Sequence, residues 1–235
     1  LLAKRALRLR VEHRSMADGE AASGLLGWDA VARRRLIEAL AATILDHQTE
    51  LTDLDRAIGD GDHGINLARG FKAVLAQRDT LSELPLGPGL KELGKRLVMS
   101  VGGASGPLYG TLFMALGDAL AGSQPLTRAD FVRACEASVA AVSARGKAQA
   151  GQKTMLDVLV PVLDELRAGG PDLLRRLSER AAAAAAATVP LVAQRGRAAF
   201  LGERSAGHLD PGARSSQLLI DAACAGVASA MEAAR

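Results

Sequence analysis

Apolar residues recur at helical spacing along most of this chain, while runs that alternate every second residue are scarce, so helices are predicted in place of strands. The first helix is expected from Trp28–Asp29 to about Glu50, with Val31, Leu36, Ile37, Leu40, Ile44 and Leu45 as its buried stripe. Others are expected over Asn66–Gln77, Pro88–Ser100 and Gly106–Ala121. Thr127 and Asp130 have capping-box spacing and open a fifth helix reaching about Ala144. Thr154–Arg167, Leu173–Gln194 and Ser215–Ala233 complete eight. The Ala181–Ala187 run reads as close helix packing, and Pro190 as the residue that kinks or ends its helix. No repeat of 20–50 residues is visible. Short connections favour antiparallel neighbours, and the fold class predicted is all-α, a single up-and-down helical bundle.

Composition narrows the function. The 235 residues are 49% hydrophobic, as a globular chain requires, and only 3% aromatic, which argues against a stacking platform for single-stranded nucleic acid. The formal charge of +3 hints at an acidic partner, but the excess sits in residues 1–14, where Lys4, Arg5, Arg8, Arg10 and Arg14 face only Glu12. The remainder is close to neutral, so neither nucleic acid nor a membrane is expected as a partner. The arm lacks the apolar stretch of a secretory signal and reads as upstream sequence; residues 1–27 are expected to be a poorly ordered basic arm and residues 28–235 the functional domain. No apolar run reaches the ~18 residues needed to span a bilayer. Cys135 and Cys224 fit neither a disulfide framework nor a zinc knuckle, which points to a reducing compartment, the cytoplasm.

Four segments carry candidate chemistry. In Leu51–Asn66, Asp55, Asp60 and Asp62 can converge because Gly59, Gly61 and Gly64 let the backbone turn tightly. At ~4 Å each like-charge pair costs about 4 kcal/mol at an effective dielectric near 20, so three clustered carboxylates call for a cation. Oxygen ligands select a hard ion, Mg2+ or Ca2+. An EF-hand is excluded because Ile65 stands at its invariant glycine and no Glu closes the loop, leaving Mg2+ with a phosphate. Asp53 reads as a solvated or capping acid.

The second segment, Val101–Thr111, exposes backbone amides just before a helix; it suits phosphate or, equally, close helix packing. Tyr109 within it reads as a packed residue. The third, Gly146–Thr154, nearly matches a phosphate-binding P-loop, but Gln152 stands where its lysine belongs and no strand precedes it, so a P-loop is rejected. A glycine-rich approach to nucleotide by another geometry stays open. In the fourth, Arg195–Ala213, Arg197 and Arg204 are suited to balancing phosphate charge, and Asp210-Pro-Gly212 is a turn before the last helix.

Together, Leu54-Asp-Arg-Ala-Ile-Gly-Asp-Gly-Asp-His-Gly64, Gly102-Gly-Ala-Ser-Gly-Pro107, Gly146–Met155, Gly202-Glu-Arg-Ser and Gly207-His-Leu-Asp-Pro-Gly212 resemble the nucleotide-binding L subunits of dihydroxyacetone kinases, the DhaL family, over about residues 28–233. The resemblance implies eight antiparallel helices closed into a barrel, with ADP or ATP and two Mg2+ ions at one end. It implies that Asp55, Asp60 and Asp62 hold the metals. It further implies that His63, Gly64, Ile65, Asn66, Ala104, Ser105, Gly146, Met155, Arg197, Asp210, Pro211 and Gly212 contact the nucleotide. No residue of this chain is then expected to act as a nucleophile. The implied role is phosphoryl transfer to dihydroxyacetone on a separate K subunit, with a phosphohistidine M subunit as donor in a phosphoenolpyruvate-dependent system. Alternatives are the nucleotide subunit of an ATP-dependent ketose kinase of erythrulose type, and a regulatory module that docks a transcription factor. A fatty-acid kinase domain is disfavoured because it carries Thr where His63 stands.

Overall fold

The computed structural model describes residues 29–122 and 127–233, so the expectations for the arm at 1–27 lie outside the described residues. Those residues form α1 (Ala30–Asp46), α2 (Gln48–Ile58), α3 (His63–Leu75), α4 (Arg78–Glu83), α5 (Leu86–Ser100), α6 (Ser105–Leu120) and α7 (Arg128–Gly146). α8 (Leu156–Ala168), α9 (Leu173–Ala186), a 3-10 segment (Arg197–Ser205) and α10 (Pro211–Ala233) follow. The all-α expectation holds, and no strand occurs among the described residues.

Among the described residues ten α-helical stretches stand beside the eight expected, and each difference has a local cause. The chain bends at His47 (φ −99°, ψ 11°), whose ring Nδ1 lies 2.8 Å from the Thr43 carbonyl, and helix then resumes to Ile58. Gly59 is the real terminator, so half of the acidic segment read as a turn is helical. Arg78–Glu83, read as a connection, makes a short helix. The helix expected to reach Gln194 stops at Ala186, because Pro190 has no amide donor to continue the ladder and disfavours helical geometry before it. The final helix begins at Pro211, four residues early, since proline fits a first helical position. The predicted capping box is present: Thr127 Oγ1 accepts from the Asp130 amide at 3.1 Å and the Thr127 amide donates to Asp130 Oδ2 at 2.9 Å.

α1, α3, α5, α6, α7, α8, α9 and α10 touch in a closed ring, each packed on the next and α10 returning to α1, with α2 and α4 added to it. Ile44, Leu51, Leu67, Phe71, Val74, Leu97 and Val142 form the centre of the core. Ile37, Leu40 and Ile44 of the predicted stripe are buried, but Val31 in the first turn of α1 is exposed. Ala181, Ala184 and Ala185 pack against Val158 and Ala213, the close approach expected of the alanine run.

A tight, glycine-lined crossing joins α5 to α6. Gly87 and Gly94 on one helix interleave with Gly110 and Gly117 on the other, and a Cβ at Gly94 would stand 2.7 Å from the Gly110 carbonyl oxygen. Such spacing leaves no room for any side chain, and it sets where the loop between these helices, Val101–Ala104, emerges. No helix among the described residues is long and apolar enough to cross a membrane.

Candidate functional site

The acidic turn is built by α2 stopping and α3 starting within four residues. Gly61 takes φ +73°, a left-handed conformation that a side chain resists, and this brings Asp62 back over the end of α2. Asp55 Oδ2 accepts from the amides of Asp62 (2.8 Å) and His63 (3.1 Å), leaving its other oxygen for the cluster. Ligand oxygens of Asp55, Asp60 and Asp62 all lie within 4.8 Å of one another. Gly59 is obligatory here, because a Cβ would overlap Asp55 Oδ1. The donor set, three carboxylates of which Asp55 is fixed by two backbone amides, fits a hard divalent cation. Arg197 reaches in from the 3-10 segment, its Nε 2.8 Å from Asp60 Oδ2. Asp53 pairs instead with exposed Arg56, as a solvated acid would.

Facing this turn is the N-terminus of α6, where Gly103 (φ +63°) aims the chain into the helix. His63 joins the two walls: Nδ1 lies 2.9 Å from Ser105 Oγ and Nε2 2.9 Å from Ser215 Oγ. Ser215 Oγ bonds Tyr109 OH at 2.6 Å, which also meets Ser216 Oγ at 3.0 Å. This buried chain of polar groups fixes α3, α6 and α10 to one another. Burial drives the His63 pKa down to about 4 against the pull of Asp55 and Asp62, so the ring is neutral, one nitrogen donating and the other accepting. Burial pushes Tyr109 up to about 12, in keeping with a packed residue.

The remaining wall comes from the segments before α8 and α10. Asp157 accepts from the amides of Gly151 (2.6 Å) and Thr154 (2.7 Å), closing the glycine-rich loop into the start of α8 and placing Met155. Asp210 Oδ2 accepts from the Ala213 amide at 2.7 Å, and burial raises its pKa to about 7. A Cβ on Gly212 would lie 3.1 Å from that oxygen and 3.4 Å from the Met155 amide, so the two segments abut.

These walls enclose one cavity of about 450 Å3. All the predicted site residues line it except Gly64, Ile65 and Asn66. Gly64 packs α3 onto α2, where a Cβ would overlap the Gln48 carbonyl; the Ile65 side chain is half exposed; Asn66 is buried and bonded to Arg69. Arg204 is exposed and does not line the cavity. Sequence reading missed Arg145, Arg195 and Lys153, and the apolar wall of Leu108, Val142 and Leu156. The Thr154–Asp157 spacing was an available capping signal for the loop; the apolar wall had none, since such residues look like core.

A DAK2 domain model matches residues 57–225. The chain is 43% identical over 176 residues to the ADP-binding subunit DhaL of a PEP-dependent dihydroxyacetone kinase of Escherichia coli, covering 72% of this chain and 84% of that one. It is 42% identical over 188 residues to the corresponding subunit of kinase 1 of Listeria innocua, covering 80% and 92%. Among solved structures it is similar to the dihydroxyacetone kinase of C. freundii in native form (TM-score 0.67, 29% identity, 84% of this chain). The same kinase in complex with AMP-PNP and Mg2+ matches with TM-score 0.65 over 82% of this chain. The chain spans about a third of that kinase's length. By the extent of the domain match and the identity to full-length relatives, this chain belongs to the DAK2 domain family.

Proposed function

We propose that this chain is the nucleotide-carrying subunit of a dihydroxyacetone kinase, holding Mg-ADP or Mg-ATP and passing a phosphoryl group to dihydroxyacetone bound on a K-type partner. The observation that carries this reading is the single cavity with three converging carboxylates on one wall and a helix N-terminus on the other. The phosphoenolpyruvate-dependent form is favoured because the chain covers most of the length of separate ADP-binding subunits.

In this reading Asp55, Asp60 and Asp62 hold two Mg2+ ions. Mg2+ held there would supply charge neutralisation on the nucleotide phosphates and favour in-line transfer. The first turns of α3 and α6 offer backbone amides of Gly64, Ile65, Ala104 and Ser105 that no helical carbonyl satisfies, and these suit phosphate oxygens. Asn66 anchors the start of α3 beside Gly102. Met155, with Leu108, Val142 and Leu156, gives an apolar slot for the base, bounded by Gly146 and by Asp210, Pro211 and Gly212. Arg197 shares the anionic load with the acid cluster. His63 holds the walls in register as a neutral, doubly bonded ring and moves no proton. The acceptor hydroxyl and its base belong to the partner, and a phosphohistidine subunit recharges the nucleotide. Residues 28–235 serve as the nucleotide domain.

The test is incubation of the purified chain with Mg2+, radiolabelled phosphoenolpyruvate and the general phosphotransfer proteins, with and without the phosphohistidine partner. Label reaching bound ADP only through the partner supports the relay. Equal turnover from free ATP with a K subunit replaces it with the ATP-dependent form.

A further inference from the structure

Lys153 comes one residue after the position where a P-loop lysine would stand, and the structure buries it. It is almost fully buried, at 1% exposure, and its Nζ donates to the carbonyls of Thr188 (2.7 Å), His208 (2.6 Å) and Val189 (3.3 Å). Thr188 and Val189 follow the end of α9, where the helix dipole favours a cation. His208 lies at the far end of the segment that links α9 to α10. One ammonium therefore fastens both ends of that segment to the turn that carries Met155.

Lys153 takes φ +60° to do so, a conformation that side chains resist and that persists where the surroundings over-determine it. Asp157 supplies that constraint through the amides on either side, Gly151 and Thr154. Burial pulls the Lys153 pKa below the usual lysine value, and the nearby carboxyl groups of Asp210 and Asp157 oppose that pull.

The fastened segment, residues 187–210, includes the cavity residues Arg195, Gly196, Arg197 and Ala198 and leads into Asp210–Gly212. It has little apolar core of its own; Ala193 is its only buried hydrophobic. Polar ties hold it: the Gly207 amide to the Val189 carbonyl (2.8 Å), the Ala193 amide to Ser205 Oγ (2.8 Å), the Asp210 amide to Thr188 Oγ1 (3.1 Å) and the Gln194 amide to the Gln152 carbonyl (3.2 Å). A segment with few apolar contacts, held mainly by hydrogen bonds, opens locally at low cost, so the loss of one charged tie loosens it.

We propose that Lys153 is a positioning residue of the nucleotide site, its buried ammonium locking residues 187–210 over the cavity so that Arg197 and the Asp210–Gly212 edge are pre-set before nucleotide arrives. This rests on the nucleotide reading of the cavity. Without the tie, binding must also order the segment, and affinity falls by that cost.

The experiment compares wild type, Lys153→Met and Lys153→Gln for Mg-ADP affinity, far-UV circular dichroism and trypsin cleavage after Arg195, Arg197 and Arg204. Lys153→Met should bind Mg-ADP about tenfold or more weakly, and Lys153→Gln, which keeps two donors on a shorter stem, should fall between. Both should keep their helix content, be cut several-fold faster in the segment than wild type, and regain protection at saturating Mg-ADP. Affinity within twofold of wild type in either folded variant overturns the proposal, as does weakened binding with unchanged cleavage. Should neither variant fold, amide exchange of the wild-type chain decides: Gln194, Gly207 and Asp210 must open as one unit separate from the helices, and independent opening overturns it. If wild type itself fails to bind Mg-ADP, the nucleotide reading falls, while the cleavage comparison still tests the tie.

Discussion

Replacing Gly59 by alanine should disable the metal cluster without altering any carboxylate. A Cβ there would overlap Asp55 Oδ1 and stand 2.9 Å from the Asp55 carbonyl oxygen and 3.0 Å from its Cγ. An ordinary carbon–oxygen contact is ~3.3 Å or more, so the Asp55 carboxylate must shift by about 1 Å. That shift breaks the geometry in which Asp55 Oδ2 accepts two backbone amides, and it withdraws Oδ1 from the cluster. A hydrogen bond to a charged group is worth about 1.5–3 kcal/mol, and losing one such equivalent from the metal site weakens Mg2+ binding by roughly 10- to 150-fold. Titration calorimetry of Mg2+-dependent ADP binding reads this directly, with circular dichroism confirming the fold. Gly59→Ala and Asp55→Asn should be strongly non-additive, since both act through one carboxylate. A folded Gly59→Ala chain with wild-type Mg2+ dependence, or full additivity, would refute the assignment of Asp55 as a ligand placed by the turn.

Four other outcomes are expected. Asp60→Asn or Asp62→Asn should abolish phosphoryl relay through loss of Mg2+ and nucleotide; full activity with normal nucleotide occupancy contradicts the site. Gly94→Ala should destabilise by about 1–3 kcal/mol despite alanine's better helix propensity, because the Cβ would meet the Gly110 carbonyl and Met114 amide at 2.7 and 2.8 Å, whereas Gly226→Ala meets only the tip of Leu36 and should be neutral or slightly stabilising; urea midpoints of the same sign would refute the tight crossing. Tyr109→Phe leaves Ser215 and Ser216 short of a buried partner and should cost about 1–3 kcal/mol in urea unfolding, with no loss pointing to a looser core. Asp210 binds its proton more tightly folded than unfolded, its pKa standing at about 7 against 3.8, so its contribution is complete below pH 3.8 and is lost as pH rises through 7, on the order of 4 kcal/mol in all. Asp210→Asn should therefore stabilise the nucleotide-free chain at pH 8 more than at pH 4 while weakening nucleotide binding; thermal melts with no pH-dependent difference would contradict it.

The helical character of the chain and its acidic turn were legible because both are local. Spacing of Ile37, Leu40 and Ile44 marks a buried face, and Gly59–Asp60–Gly61–Asp62 allows few uses for its charges. The capping box at Thr127 was legible for the same reason, since its two bonds span three residues. The extent of α2 was not, because helix propensity in Leu51–Ile58 competes with the turn signal of the acids, and burial of Leu51 and Ile58 settles it for helix.

What the sequence determined by itself was therefore the set of pieces: helices, a cation-demanding turn, three glycine-rich segments and a charge excess confined to the arm. Only the tertiary structure decided how they meet. It brings Asp55, Ser105, Met155 and Asp210 around one cavity, makes Lys153 a tie between loops, and makes His63 a neutral link between Ser105 and Ser215. The reason is range: propensity, capping and turn chemistry act over a few residues, whereas burial and convergence depend on partners 42 to 152 positions away along the chain.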